Sequence, residues 1–184
     1  MTTPEGSPRP RAWVVHESIF GNTRQVAEAV ADGLRSAMEV EVHQVTDPSL
    51  VPDSVDLLVV GGPTHAFGMS RPSTREDAAR RSEGAVEVAA TGLREWLEGM
   101  TFGGHVPAAA AFDTKVNHPR LPGSAARKAA KRLRRLGCAE ASGPETFWVE
   151  GTEGPLADGE LDRARRWGSE LANSRRAMAG HGIL

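Results

Sequence analysis

The chain's 184 residues fit one compact domain with its own hydrophobic core and are too few for two ordinary domains and a linker. Lysines and arginines number 22 and acidic residues 24, a formal net charge of −2, so no global field draws the chain to nucleic acid or to an anionic membrane. The single cysteine, Cys138, rules out an internal disulfide, a cysteine metal cage and a Cys-x-x-Cys redox pair. One thiol suits a reducing cytoplasm. No apolar run approaches the roughly 20 residues that span a bilayer, and Met1 to Arg11 carries prolines and charges where a signal peptide has an apolar stretch, so a soluble, cytoplasmic protein is expected.

In chain order, residues 1–11 (MTTPEGSPRPR) have almost nothing to bury and read as a disordered leader. Ala12 to His16 is a short apolar run of buried-strand type. Thr23 to Met38 reads as a helix with Val26, Ala27, Val30, Leu34 and Ala37 on one face. Val40 to Val45 alternates as a strand with one solvated face, and Val55 to Val60 (VDLLVV) is an uninterrupted buried strand closed by Gly61-Gly62-Pro63. Ser73 and Glu76 have capping-box spacing, which predicts a helix over 74–81, and a second helix follows over about 91–99. His105 to Phe112 is a strand of small residues. Ser124 to Leu136 is a basic helix with Ala125, Ala129, Leu133 and Leu136 inward, read as a solvated charged face opposite an apolar stripe rather than a nucleic-acid patch. Phe147-Trp148-Val149 is the last strand. A final helix over 161–171 buries Leu161, Ala164, Trp167, Gly168 and Leu171, and residues 174–184 read as a flexible tail. The ordered domain is therefore 12–173. All four tryptophans, Trp13, Trp96, Trp148 and Trp167, are assigned to the core, and Cys138 is read as a small buried apolar residue. Alternating strands and helices of this kind predict an α/β fold with a parallel sheet, helices on both faces, and ligands beyond the carboxyl ends of the strands.

The segment with most chemistry is Trp13 to Gln25 (WVVHESIFGNTRQ), where a buried strand turns through Ser18 to Asn22 into a helix. Gly21 lets backbone pass close to a bound group, Ser18 and Thr23 offer hydroxyls, and free N–H groups of a first helical turn attract an anion such as a terminal phosphate. The same residues would serve equally to cap a helix that binds nothing. The glycine-lysine-serine/threonine ending of a Walker loop is missing, and so is G-x-G-x-x-G.

Ser18, Gly21, Asn22 and Thr23 resemble the flavodoxin phosphate loop: threonine or serine, any residue, threonine or serine, glycine, any residue, threonine, directly after the first strand. Phe20 stands where that loop has its second hydroxyl. Gly61-Gly62-Pro63-Thr64-His65-Ala66-Phe67-Gly68 looks like the family's first flavin-ring loop, and Asp113-Thr114-Lys115-Val116 follows the strand where its second ring loop lies. The resemblance implies a flavodoxin-like three-layer sandwich, a five-stranded parallel sheet in the order 2-1-3-4-5, and one FMN. Its phosphate would lie on Ser18, Ile19, Phe20, Gly21, Asn22 and Thr23. Its ring would lie between Pro63, Thr64, His65, Ala66, Phe67 and Gly68 on one side and Asp113, Thr114 and Lys115 on the other. The chain has no tyrosine to stack on a ring, which leaves Phe67, His65 and His118 as candidates. Arg71, Arg75, Lys115 and Arg120 predict cationic surroundings, and hence a less negative potential for the reduced flavin.

Three functions stay open at this point. The first is an electron carrier serving a redox partner protein or a small-molecule acceptor. The second is an FMN-dependent NAD(P)H or quinone oxidoreductase, and the third a flavin-free binding module. No recognisable second nucleotide motif favours the carrier. Neither nucleic acid nor membrane is expected as a partner.

Overall fold

A computed structural model describes residues 8–45, 50–65, 68–81, 90–117 and 122–180. The residues singled out at Ala66, Phe67, His118 and Arg120 lie outside these. The first strand, β1 (Arg11–His16), carries Val14 and Val15 on opposite faces, and both are buried, as a central parallel strand requires. It leads through a short loop into α1 (Asn22–Leu34) and the edge strand β2 (Glu39–Gln44), whose Val40 and Val42 face inward between polar neighbours. The two-residue β3 (Leu50–Val51) precedes β4 (Leu57–Pro63), buried through Gly62. Then come α2 (Pro72–Arg81), α3 (Leu93–Gly99), the two-residue β5 (Thr101–Phe102) and β6 (Ala108–Val116). The chain continues through α4 (Ala125–Arg135), β7 (Glu145–Val149) and α5 (Glu160–Gly180).

The main sheet has the order β2-β1-β4-β6-β7, every pairing parallel. Leaving aside the small β3–β5 pair, this is the expected 2-1-3-4-5 order. Each face of the sheet has its own core. On one side α1 and α5 cover Phe112, Phe147 and Trp167, whose rings meet edge to face at centroid distances of 6.0 to 6.2 Å. On the other side α3 and α4 bring Leu93, Trp96, Leu97, Ala129 and Leu133 onto Leu58 and Val60. Among the described residues no helix is long and apolar enough to cross a membrane.

Several elements depart from the sequence reading. The cap of α2 falls two residues earlier than the Ser73–Glu76 spacing suggests, because Pro72 fits the first helical position. Thr74 Oγ1 reaches back to the Arg71 N–H and donates to the Arg71 carbonyl, both at 2.8 Å. Helix α5 continues to Gly180, well past Leu171, into the segment read as a tail. Leu161 is 37% exposed rather than buried, because in the first turn of α5 it is Glu160 that meets the sheet, accepting the Trp148 N–H at 2.7 Å. Trp148 is also 37% exposed: Phe147 enters the α1–α5 core, and strand alternation turns Trp148 to the opposite face at the sheet edge. Trp13 is half-buried, its ring tilted against His43 at 4.4 Å.

Candidate functional site

At the carboxyl end of β1 the backbone makes a last sheet-like bond, Glu17 N–H to the Gly61 carbonyl at 2.9 Å, and leaves the sheet. Gly21 is the N-cap of α1 in the left-handed region, φ 87° and ψ −16°, a conformation that favours glycine. The Gly21 carbonyl accepts the Gln25 N–H at 3.0 Å, and Ser18 Oγ accepts the Arg24 N–H at 3.2 Å. Among the described residues no acceptor meets the N–H groups of Phe20, Gly21, Asn22 or Thr23. They are the unsatisfied donors of a helix start, at the positive end of its dipole. A Cβ built on Gly21 would meet nothing within 4 Å, so the space over this turn is open.

Two side chains of the loop brace it against distant strands. Thr23 Oγ1 lies 2.7 Å from Thr114 Oγ1 at the end of β6, both residues buried. Only one hydroxyl can donate in that contact, which leaves one O–H free. Asn22 Nδ2 donates to the Glu153 carbonyl at 3.0 Å, drawing the loop after β7 over the start of α1. His16, just beneath, is 4% exposed, and burial together with the Arg24 charge lowers its pKa to about 4.

The residues after β4 and in β6 divide by role. Thr64 Oγ1 donates to Asp113 Oδ2 at 2.8 Å and accepts the Ala125 N–H at 2.8 Å. Asp113 Oδ2 also accepts from Ser124 Oγ at 2.6 Å and the Ala126 N–H at 3.0 Å. These two side chains therefore hold the first turn of α4, and Asp113 has no exposed surface. Lys115 Nζ donates to the Gly123 carbonyl at 3.0 Å, toward the β6–α4 loop. His65 and Gly68 exchange two backbone bonds of 2.9 Å. His65 Nε2 is buried without a partner among the described residues, and burial, helped by the Arg75 charge, lowers the imidazole's pKa.

Two adjoining hollows open here, sharing Phe20, His65 and Thr152 in their walls. The smaller, about 80 Å³, reaches between Thr23, Pro63, Thr114 and Val149. The larger, about 450 Å³, is closed by Thr74, Asp77 and Ala78 of α2 and by Glu153, within the usual size of a small-molecule site. Ser18, Ile19, Phe20, Gly21, Asn22 and Thr23 thus converge with Pro63, Thr64, His65 and Thr114 on one end of the sheet. The sequence reading omits Asp77, Ala78, Thr152 and Glu153. The signal available for the last two is the turn-forming Gly151-Thr152-Glu153-Gly154-Pro155 directly after the last strand.

Among the described residues, the expected cations do not line this cleft. Arg75 is 2% exposed, and its Nη1 donates to Ser70 Oγ and to Glu95 Oε2, both at 3.1 Å. Among the described residues, the charged ones in the cleft wall are Asp77 and Glu153. Arg75 belongs to a buried network that the sequence does not reveal. Glu17, 2% exposed, accepts from Ser70 Oγ at 2.5 Å and from the Leu93 N–H at 2.8 Å. Burial raises its carboxyl's pKa against those hydrogen bonds and the Arg75 charge. The network joins the residue before the phosphate-type loop to Ser70 and to the start of α3.

No protein-family model and no curated protein sequence matches the chain. Solved structures do. A flavodoxin from the domain Archaea is 19% identical, with 90% of this chain and 99% of that chain covered and a TM-score of 0.58. Oxidised Flavodoxin 1 from Bacillus cereus is 16% identical, with 89% and 97% covered and a TM-score of 0.61. The flavodoxin, WrbA-like protein from Agrobacterium tumefaciens is 19% identical, with 91% and 98% covered and a TM-score of 0.56. The chain has the flavodoxin-like fold.

Proposed function

We propose that the chain binds one FMN at the carboxyl end of its sheet and acts as a cytoplasmic electron carrier for a redox partner protein or a small-molecule acceptor. The observation that carries this reading is the set of unmet N–H groups at Phe20, Gly21, Asn22 and Thr23, turned by the left-handed Gly21 toward open space at the start of α1. That donor set fits a phosphate, with Ser18 Oγ and the Thr23–Thr114 hydroxyl pair beside it. Similarity to proteins named flavodoxins supports FMN as the phosphate's owner. When bound, FMN supplies the electron chemistry. The residues Ser18, Ile19, Phe20, Gly21, Asn22 and Thr23 hold its phosphate. Phe20, His65 and the loop at Thr152 wall the adjoining cleft against water.

Titration of flavin-free protein with FMN, read by quenching of flavin fluorescence, tests the reading. One FMN per chain is expected. Gly21→Val strains the φ 87° turn by about 1–2 kcal/mol, which a domain of ordinary stability survives, and fills the space the phosphate needs. It should weaken FMN by at least about tenfold, or 1.4 kcal/mol. Absence of saturable binding, or a variant that binds as tightly as the parent, overturns the site. Slow reduction of the loaded protein by NADH and NADPH alone is expected of a carrier; rapid reduction by either would make it an oxidoreductase.

A further inference from the structure

A second concavity, about 300 Å³, lies between α3 and α4. Among the described residues its charged lining is Arg94, Lys128, Lys131, Arg132 and Arg135, with Glu98 the one acid. Among the described residues none of these five cations forms an ion pair with a carboxylate. Two of them are fixed in place by backbone. Arg94 donates to the Met69 and Ser70 carbonyls at 3.1 and 3.3 Å, and Arg132 to the Leu97 and Glu98 carbonyls at 3.4 and 3.5 Å. Neither arrangement engages Nη1, so each planar guanidinium keeps donors to offer. The groove also reaches the loop after β4: the Lys128 side chain lies against Gly68, its Cδ, Cε and Nζ only 2.6 to 2.8 Å from where a Cβ would be.

Crowding five cations around one hollow is unfavourable without a counter-charge, and the described residues supply one acid. We infer that this groove is a binding site for a compact, multiply phosphorylated small molecule. Three features favour a small ligand over a macromolecule. The cations converge from separate helices on a concave space rather than forming a convex stripe. Two are held by carbonyls before any ligand arrives. The whole chain carries −2, so long-range attraction of a polyanionic surface is weak and the field is local. The site is separate from the flavin cleft and does not rest on that assignment.

Isothermal titration of the full chain with inorganic tripolyphosphate tests it. A site of one tripolyphosphate per chain is expected that weakens at least tenfold in Lys131→Gln/Arg135→Gln, two exposed positions whose exchange leaves the cores intact. The same site should persist in Arg127→Gln, which removes an exposed cation of α4 outside the groove, and in Gly21→Val, which removes the other anion cradle. Retention of parental affinity in the double variant overturns the inference. So does loss of all binding in Gly21→Val, which would place the anion at the α1 loop. An equal loss in Arg127→Gln would show a diffuse field, and tighter binding of a DNA duplex through Lys131 and Arg135 would make the face a nucleic-acid surface; either result also overturns it.

Discussion

Two adjacent residues at the end of β1, His16 and Glu17, are polar and almost wholly enclosed. Their titrations pull stability in opposite directions. For His16 the folded pKa, about 4, lies below its ordinary 6.5. Between those values the unfolded chain takes up a proton that the folded chain refuses, so His16's contribution is intact above pH 6.5 and lost as pH falls toward 4. The full difference is roughly 3 kcal/mol. Glu17, its carboxyl raised by burial, favours folding most at low pH and less as pH rises through its folded pKa. In thermal melts across pH 7 to 4, His16→Asn should lose less stability on acidification than the parent; equal slopes would mean that His16 opens to water. His16 ends the run legible as a buried strand, but Glu17 is not legible as buried, because it follows that run where a strand ordinarily surfaces. The enclosure of Glu17 comes with Ser70 and Leu93, brought to its carboxylate by the chain's return. Gly61 is half legible in the same sense. A close approach is readable from the paired glycines, but what approaches is the Phe112 ring, 2.0 to 2.4 Å from a built Cβ, and not a ligand.

At the scale of elements, α1 and α5 pack closer than side chains permit. A Cβ on Gly168 would fall 2.2 Å from the Val30 carbonyl oxygen, and one on Gly33 would fall 2.1 Å from the Arg165 carbonyl oxygen. Gly168→Ala in a helix interior gains about 1 kcal/mol of intrinsic propensity. Here the obstacle is backbone, so the helices must separate over Val26, Val30 and Trp167. Overpacking of that kind costs about 1–3 kcal/mol and wins. A urea denaturation midpoint below the parent's at unchanged slope is expected; a raised midpoint would mean that the helices part freely. The order of strands and helices is legible because each long element keeps one hydrophobic period, from VDLLVV in β4 to the alanine and leucine stripe of α4. The β3–β5 pair is not, since two residues carry no period. The length of α5 escapes for another reason: residues 174–180 (SRRAMAG) are polar but hold no proline, and good helix formers extend a helix beyond its buried stripe.

Across the whole molecule, a net charge of −2 conceals a separation: acids at the cleft by the α1 loop, bases in the groove between α3 and α4. The turn before α1 is legible because its residues are contiguous and its geometry follows from Gly21. The cleft's charge is not, because its wall is assembled from α2 and the loop after β7. Reading charge from sequence neighbours of the ring loops gives cations, yet Arg75 is enclosed with Glu17 and Glu95, and Lys115 turns to Gly123. Among the described residues the charge beside the cleft is thus acidic, and its expected effect on a bound flavin is opposite to that of cations. A negative charge near the ring opposes its reduced, anionic form. Asp77 is paired with Arg80, whereas Glu153 has no ion-pair partner among the described residues. One carboxylate at about 8 Å and an effective dielectric of about 40 contributes on the order of 1 kcal/mol, or roughly 40 mV, an upper limit for an exposed group. Spectroelectrochemistry of the FMN-loaded protein should place Glu153→Gln at a higher potential than the parent, with the gap narrowing as salt is added. Lys115→Gln should move the potential less than Glu153→Gln does. A larger downward shift in the lysine variant would restore the cationic picture and remove Glu153 from the flavin's surroundings.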